Sequence, residues 1–360
     1  MRLDQRWWQL VVLFIFGVCF GPARQGFAQQ TPDAPPVDDG TQHPRLAKVW
    51  DGKGSSDVLV LKGHDGGVTT AMFFQSGEKV LTASSDRTAR VWDARTGKTL
   101  VVIDNAGFNR CFASVDPQGT RILTTNHPYV KLWDANTGAV LMDLTGQVGL
   151  ERHWPFGFRG VFSPDGKWFT TCSPVFQLKL RESTTGKELA TLKGSDYWSN
   201  DSAVSPDGSR VVTSCETSDD AARVWDSRTG AELLTLKGHG GSVWAVGFSP
   251  DGQQIATGGV DRKIHLWDAK TGAEQLRLEG HTRVVTSVAF RPDGKQIVST
   301  SQDGTTRIWD SKTGEELFIL AKADGDARFS PDGKRIVTAS SDRTALIWDY
   351  ASFLARPRNP

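Results

Sequence analysis

A Trp-Asp dipeptide returns roughly every 40 residues through most of this 360-residue chain, a period typical of repeat architectures. The tryptophans of these pairs are Trp92, Trp133, Trp225, Trp267, Trp309 and Trp348. The interval between Trp133 and Trp225 is about twice the others. Arg181 and Glu182 lie in the middle of it, and the Thr-Gly turn that follows them also follows five of the six Trp-Asp pairs. The chain therefore contains seven copies of one unit, of which the third has Arg181 in place of Trp.

Each unit contains four short apolar runs separated by turn residues, as the fifth unit illustrates. Its runs cover residues 243–248, 255–257, 264–267 and 274–278, and a Pro-Asp-Gly turn at 250–252 separates the first two. Pro and Gly at these positions favour a tight turn. Four short strands in about 40 residues make one propeller blade, so the sequence predicts an all-β, seven-bladed β-propeller.

Three units also contain a His, a Ser or Thr, an Asp and a Trp at constant spacing. These sets are His64, Thr82, Asp86 and Trp92; His239, Thr257, Asp261 and Trp267; and His281, Ser299, Asp303 and Trp309. A buried imidazole, hydroxyl or indole N–H needs a hydrogen-bonding partner. With the recurring Gly-His and Trp-Asp pairs, the sets resemble the WD-repeat (Trp-Asp repeat) family of β-propellers over about residues 57–349. The resemblance implies that each set is a hydrogen-bonded tetrad inside its blade. We therefore interpret these histidines as structural, and not as catalytic or metal-binding residues.

The two ends of the repeat region complement each other. The last unit ends at Trp348 without a fourth run, and residues 57–61 form a fourth run with no unit before them. Pairing of this N-terminal strand with the last blade would close the ring and leave no exposed ring edge. The sequence thus predicts a propeller over 57–349 and a C-terminal tail over 350–360. Residues 48–51 resemble an additional third strand, a possible remnant of a repeat.

The N-terminus has the order of a secretory signal. Arg2 and Arg6 precede an uncharged apolar run at 10–20, and small residues lead to a cleavage point after Ala28. This order predicts a signal peptide at 1–28. An uncleaved N-terminal anchor is the alternative, although a membrane span needs about 20 apolar residues.

A Pro/Asp-rich linker is predicted over 29–56. We expect the protein to be exported to the periplasm, the cell surface or the medium, with no membrane span after signal cleavage. The regular Pro-Asp-Gly blades resemble those of exported bacterial WD-repeat proteins.

Units 2, 3 and 4 depart from the repeated pattern on one face of the predicted ring. Strands alternate in direction, so the fourth-to-first and second-to-third connections share a face, here called the loop face. Ala106 and Ser195 replace the His of units 2 and 4, and Val175 replaces the Asp of unit 3. The altered connections carry the candidate partner-binding residues Phe108, Arg110, His127, Tyr129, Arg152, His153, Trp154, Phe156, Phe158, Tyr197 and Trp198. Aromatic residues and Arg are enriched in protein interfaces. The alternative is that these aromatic side chains fill the space left by the lost tetrads.

Composition narrows the choice of function. The chain has 42 Lys and Arg against 41 Asp and Glu, a balance that argues against binding of nucleic acid through its phosphates. It lacks the sequence motifs of serine hydrolases, zinc proteases and phosphate-binding loops. We expect a non-catalytic, monomeric scaffold or recognition module that binds a protein or peptide and needs no cofactor and no metal. The alternatives are an enzyme or small-ligand binder that uses the mouth of the central channel, and a purely structural spacer.

Overall fold

The computed structural model describes residues 48–50, 57–105, 111–126, 129–145, 158–172, 178–192, 201–214, 220–321 and 324–355. In these ranges the chain forms seven β-sheets, one for each predicted blade. The prediction of an all-β, seven-bladed propeller is confirmed.

In blades 1 to 5 the strands follow one another in the sheet in chain order, from the centre of the ring outwards, and blades 6 and 7 each add an outermost strand from the start of the described chain. Blade 1 contains Val68–Phe74, Lys79–Ser84, Thr88–Asp93 and Thr99–Asp104, with a 3₁₀ turn at Gln75–Gly77. Blade 2 contains Phe112–Val115, Arg121–Asn126, Tyr129–Asp134 and Val140–Asp143. Blade 3 contains Trp168–Cys172, Leu178–Glu182 and Glu188–Thr191, and a single bridge between Phe162 and Phe169 marks its first-strand position. Blade 4 contains Ser202–Val204, Arg210–Thr213, Ala221–Asp226 and Glu232–Lys237.

The remaining blades have the same arrangement. Blade 5 contains Val243–Phe248, Gln254–Gly259, Ile264–Asp268 and Glu274–Leu278. Blade 6 contains Val285–Phe290, Gln296–Ser301, Thr305–Asp310 and Glu316–Ala321. Blade 7 contains Ala327–Phe329, Arg335–Ala339, Thr344–Asp349 and, as its fourth strand, Val58–Lys62.

The hydrophobic core lies between neighbouring blades. Second strands such as Gln254–Gly259 are buried on both faces, because a blade packs on either side, whereas outer strands such as Glu274–Leu278 alternate between partly buried and exposed positions. Trp267 of blade 5 shares a core cluster with Val224 and Leu236 of blade 4. The recurring Trp therefore joins adjacent blades as well as filling its own.

Closure of the ring follows the predicted route. Val58–Lys62 pairs antiparallel with Thr344–Asp349, in a register that sets Val58 opposite Trp348 and Lys62 opposite Thr344. Because the first and last parts of the repeat region form one sheet, the two ends of the propeller are held together by backbone hydrogen bonds.

The segment after the last Trp-Asp pair begins with a short helix, Tyr350–Ala355. Asp349, the Asp of that pair, accepts hydrogen bonds from the backbone N–H and the hydroxyl of Ser352 in the first turn. Tyr350 and Phe353 are buried against Phe318 and Phe329. The first residues of the predicted tail thus belong to the core of the propeller.

Residues 48–50 occupy a position that the sequence did not indicate. The strand Lys48–Trp50 pairs in parallel with Glu316–Ala321, the outermost strand of blade 6. Although the segment resembles a third strand, that place in blade 7 belongs to Thr344–Asp349. It instead adds a fifth strand to the outer edge of blade 6. In the described ranges no helix is long and apolar enough to cross a membrane.

Candidate functional site

Each predicted tetrad links two connections of the loop face to the interior of its blade. In blade 1, Nδ1 of His64 lies 2.8 Å from Oδ2 of Asp86, and its Nε2 lies 2.8 Å from Oγ1 of Thr82. The indole N–H of Trp92 donates to the same hydroxyl at 2.7 Å. His64 belongs to the fourth-to-first connection and Asp86 to the second-to-third connection, so their hydrogen bond ties the two connections together.

The tetrads of blades 5 and 6 have the same geometry. His239 lies 3.0 Å from Asp261 and 2.6 Å from Thr257, and Trp267 donates to Thr257 at 2.8 Å. In blade 6, His281 lies 2.9 Å from Asp303 and 2.8 Å from Ser299, and Trp309 donates to Ser299 at 2.8 Å. Burial lowers the pKa of all three histidines and keeps the imidazoles neutral at pH 7.

The described residues of the other four blades contain the inner half of this network. Trp133, Trp225 and Trp348 donate to Thr124, Thr213 and Thr338 at 2.7 to 2.9 Å. In blade 3, the Nε–H of Arg181 donates to the hydroxyl of Thr171 at 3.2 Å, and its Nη1 donates to the carbonyl of Gly186 at 2.9 Å. Arg181 therefore replaces the indole as the donor to the buried hydroxyl.

Most of the candidate partner-binding residues lie outside the described residues. These are Phe108, Arg110, His127, Arg152, His153, Trp154, Phe156, Tyr197 and Trp198. Tyr129 is described: it begins the third strand of blade 2, is partly exposed and has the ammonium of Lys131 5.3 Å from its ring centroid.

Phe158 requires a correction. Its side chain is 5% exposed and packs with Leu178, Leu192 and Trp225 between blades 3 and 4. This position follows from its place at the start of the inner part of blade 3, where the neighbouring blade covers it. For Phe158 the space-filling alternative is correct, and it is not a surface residue for a partner.

A buried ion pair spans the central channel. The guanidinium of Arg159 in blade 3 contacts the carboxylate of Asp326 in blade 7 with two nitrogens, at 2.6 and 3.3 Å. Blades 3 and 7 are not neighbours, so the pair crosses the middle of the ring. Arg328 lies 3.0 Å from Asp326, and the hydroxyl of Ser287 in blade 6 donates to Asp326 at 2.7 Å.

Asp201 of blade 4 completes this channel cluster of two carboxylates and two guanidiniums. The backbone N–H of Val246 in blade 5 donates to Asp201 at 3.2 Å. Burial raises the pKa of Asp201, because the attraction of Arg159 and Arg328 only partly offsets the loss of water. At Asp326 burial also opposes ionisation, but Arg159 and Arg328 outweigh it and lower the pKa. The two carboxylates and two guanidiniums of the channel cluster therefore compensate each other's charge, an arrangement suited to holding blades together.

The sequence contained a signal for this cluster that the motif search missed. Arg159, Asp201, Ser287 and Asp326 all lie four residues before the first residue of the turn that ends the first strand. The same position in blade 5 is Ala245. Alignment of the seven units at that turn shows which side chains face the channel, and three of the seven are charged.

The face of the propeller opposite the loop face contains a groove. Pro164, Asp165, Trp168, Pro206 and Asp207 line an open groove of about 300 Å³ between the turns of blades 3 and 4. Trp168 is partly buried and packs against the core of these two blades.

Seven blades with recurring Trp-Asp ends and Thr-Trp hydrogen bonds define this chain as a WD-repeat β-propeller. The family model described as "WD domain, G-beta repeat" matches residues 55–93, 186–226, 230–268, 272–310 and 325–349, together just over half of the chain. The chain therefore belongs to this family, whose propellers typically mediate protein interactions.

Three curated proteins illustrate what the chain is similar to. Nuclear distribution protein PAC1 of Arthroderma benhamiae is 31% identical over 176 residues, which cover 46% of this chain and 37% of the relative. Protein tipD of Dictyostelium discoideum is 32% identical over 204 residues, covering 52% and 30%. Guanine nucleotide-binding protein subunit beta of Arabidopsis thaliana is 34% identical over 116 residues, covering 30% of each chain.

The chain spans about a third of the length of each of these relatives. All of them are eukaryotic proteins, so they do not support the expected likeness to exported bacterial members of the family.

Proposed function

We propose that this chain is a non-catalytic scaffold that acts outside the cytoplasm and binds a protein or peptide on the loop face of blades 2–4. Membership of the WD-repeat family supports protein binding in general. The choice of face and compartment rests on the chain itself.

The observation that carries the choice of face is the hydrogen bond between His and Asp in blades 1, 5 and 6. This bond holds the two loop-face connections of a blade in one arrangement, as His64 and Asp86 do at 2.8 Å. In blades 2, 3 and 4, Ala106, Val175 or Ser195 occupies a His or Asp position, so the sequence does not provide a His–Asp pair at the tetrad spacing there. These connections are free to differ in length and sequence, and they carry the aromatic and basic residues of the chain's predicted binding surface.

The channel cluster supports a role that is not catalytic. A general acid or base needs a carboxyl group that can reach substrate. Asp326 is 1% exposed and is held by Arg159, Arg328 and Ser287, so it has no open side for a reactant. The same ion pair crosses the channel that a small ligand would enter.

Export is supported by the N-terminal pattern of basic residues, apolar run and small residues before position 29. Cell fractionation and N-terminal sequencing of the recovered protein test this part separately. A start at Gln29 in an exported fraction supports it, and an intact N-terminus in the cytoplasmic fraction contradicts it.

The binding surface is tested by crosslinked capture with the full chain, followed by affinity measurement with each purified partner. One variant carries Trp154→Ala, Phe156→Ala and Trp198→Ala on the loop face. The matched control is Trp168→Ala, which removes an aromatic residue from the same region but on the opposite face. Both variants are compared with the parent by thermal unfolding, to show that they are folded.

We expect the loop-face variant to weaken binding of the partner at least about tenfold, the effect of losing one or two interface anchors, while Trp168→Ala binds like the parent. Equal binding by parent and loop-face variant would overturn the choice of face. Loss of binding only in Trp168→Ala would move the site to the groove between the turns of blades 3 and 4.

A further inference from the structure

Blade 5 contains a second histidine beside its tetrad that blades 1 and 6 do not have. Two residues before the tetrad Trp, blades 1 and 6 carry Arg90 and Arg307, and blade 5 carries His265. His265 is 1% exposed, and its ring stacks on Trp267 with centroids 5.5 Å apart. The imidazole thus lies inside the blade, where the other two tetrad blades place a long cationic side chain.

Blade 5 also lacks a hydroxyl that the other two tetrads use. Thr88 and Thr305 donate to Oδ1 of the tetrad Asp in blades 1 and 6, at 2.7 and 2.6 Å. At this position blade 5 has Lys263, of which only the backbone N–H donates to Asp261, at 3.2 Å. The Asp261 carboxylate therefore has one fewer donor from its own turn and one imidazole more beside it.

Two imidazoles and a carboxylate converge at this point. Nδ1 of His239 lies 3.0 Å and Nε2 of His265 lies 3.1 Å from Oδ2 of Asp261. All three atoms lie within 4.8 Å of one another, and the two ring centroids are 3.9 Å apart. Donor atoms bound to one tetrahedral zinc ion, at about 2.0–2.2 Å from it, lie about 3.3 Å from each other, so small side-chain movements would fit an ion between them.

The atoms behind these three groups suit metal binding as well. Nδ1 of His265 faces Oε1 of Glu274 at 2.8 Å, and Nε2 of His239 faces Oγ1 of Thr257 at 2.6 Å. A metal-binding imidazole ordinarily donates its other ring N–H to a carboxylate or another acceptor, which fixes the tautomer and the ring orientation.

We propose that His239, Asp261 and His265 bind a divalent transition-metal ion, with zinc as the ion that best fits two imidazole nitrogens and one carboxylate oxygen. Glu274 positions His265 and Thr257 positions His239. Three protein ligands leave a fourth coordination position, and the Asp261 side chain, 10% exposed on the loop face, marks where water or an external ligand would reach it. The sequence predicted no metal, because each tetrad taken alone accounts for its histidine.

Comparison of blade 5 with blades 1 and 6 indicates the variant that tests this proposal. His265→Arg removes one metal ligand and restores the residue that blades 1 and 6 carry beside the same tetrad. It is therefore expected to fold, which thermal unfolding without metal verifies. A second variant, Glu274→Gln, keeps all three ligands and weakens the acceptor behind His265, together with the exposed ion pair between Glu274 and Arg277.

The experiment uses the full chain, purified without a polyhistidine tag and freed of metal by a chelator. Bound Zn²⁺ is counted by elemental analysis after dialysis, and Co²⁺ serves as the spectroscopic probe because tetrahedral cobalt absorbs visible light strongly. We expect one bound equivalent in the parent, its loss in His265→Arg, and binding about 10–100-fold weaker in Glu274→Gln, as for other acceptors behind a ligating imidazole.

Two results would overturn the proposal. A parent chain that binds neither ion would show that the three groups form only a hydrogen-bond network. A folded His265→Arg chain that retains the bound equivalent would place the metal at other residues.

Discussion

Blades 1, 5 and 6 on one side and blades 2, 3 and 4 on the other have the same strand order but different hydrogen-bond networks. In blades 1, 5 and 6 hydrogen bonds connect the Trp and the Thr or Ser to a His–Asp pair, as in the set His64, Thr82, Asp86 and Trp92. In the described residues of blades 2, 3 and 4, the bond to the buried hydroxyl is present and comes from Trp133, Trp225 or Arg181.

This comparison of the blades distinguishes two structural roles that the complete tetrad combines. The bond from Trp to Thr holds the second and third strands of a blade and is present in every blade in one form or another. The bond from His to Asp holds the connections on the loop face. A blade without the second bond keeps the same strand order, because its strands are still packed between neighbouring blades.

Removal of the recurring Trp tests the shared part of the network and is expected to have the largest effect. Trp92 and Trp225 are 1% and 0% exposed, so replacement of either by Ala leaves a large cavity and should lower the free energy of unfolding by about 3–5 kcal/mol. Trp92→Ala should lower the free energy of unfolding by about 1 kcal/mol more than Trp225→Ala does, because Thr82 loses its donor within a network that also holds His64. Equilibrium unfolding in denaturant measures both. If Trp225→Ala lowers the free energy of unfolding more than Trp92→Ala does, the hydrogen bond between His64 and Asp86 adds no stability to blade 1.

The cross-channel ion pair gives the second largest effect and tests how blade 3, which has a single bridge at its first-strand position, is held in the ring. Arg159→Met leaves the buried Asp326 with less compensation and should lower the free energy of unfolding by about 3 kcal/mol. The double variant Arg159→Met with Asp326→Leu should recover part of this loss, because no uncompensated carboxylate remains. If Arg159→Met has the same free energy of unfolding as the parent, Arg159 contributes no stability to blade 3.

The pH dependence of stability should come from the tetrad blades. Burial lowers the pKa of His64, His239 and His281 below the ordinary 6.5, so below that pH the unfolded chain binds more protons than the folded chain. Stability is therefore complete above about pH 6.5 and falls as the pH is lowered towards the folded-state values. Hydrogen bonds from Thr88, Asp65 and His64 outweigh burial and hold the pKa of Asp86 at about 2, which adds a further loss below about pH 4.

Thermal unfolding between pH 7.5 and pH 4.5 measures this dependence. The variant His64→Gln, whose amide can replace both hydrogen bonds without titrating, should show a shallower fall than the parent. A melting temperature that rises as the pH is lowered would contradict the assignment.

Conversion of blade 3 to the common pattern should have the smallest effect. In Arg181→Trp the indole N–H can donate to Thr171, while the bond from Arg181 to the Gly186 carbonyl is lost. These changes nearly cancel, so we expect the free energy of unfolding to stay within about 1 kcal/mol of the parent value, as measured in denaturant. A loss above about 3 kcal/mol would mean that blade 3 is packed specifically around the guanidinium.

Much of the fold could be predicted because its information is local and repeated. Spacing of the Trp-Asp pairs gave the number of blades, and the fourth run at 57–61 gave the closure that Val58–Lys62 makes with Thr344–Asp349. The tetrad residues were found in the same way, since each set recurs at constant spacing. Phe158 was assigned wrongly because a connection of unusual length hides where the next blade begins.

Other features depend on contacts that no local pattern encodes. Arg159 and Asp326 are 167 residues apart in the chain and meet only because the ring closes. The strand Lys48–Trp50 has the pattern of a third strand, yet the place it resembles is already filled, and the free edge of blade 6 accepts it.

By itself, the sequence determined the repeat unit, the number of blades and the hydrogen-bonding role of each recurring residue, because strands and turns of about 40 residues are specified by side chains close in the chain. Only the tertiary structure decided which charges meet across the channel, where the strand Lys48–Trp50 and the helix Tyr350–Ala355 pack, and that a second imidazole lies beside Asp261. These depend on the distances between elements that are brought together when seven similar blades pack into one closed ring.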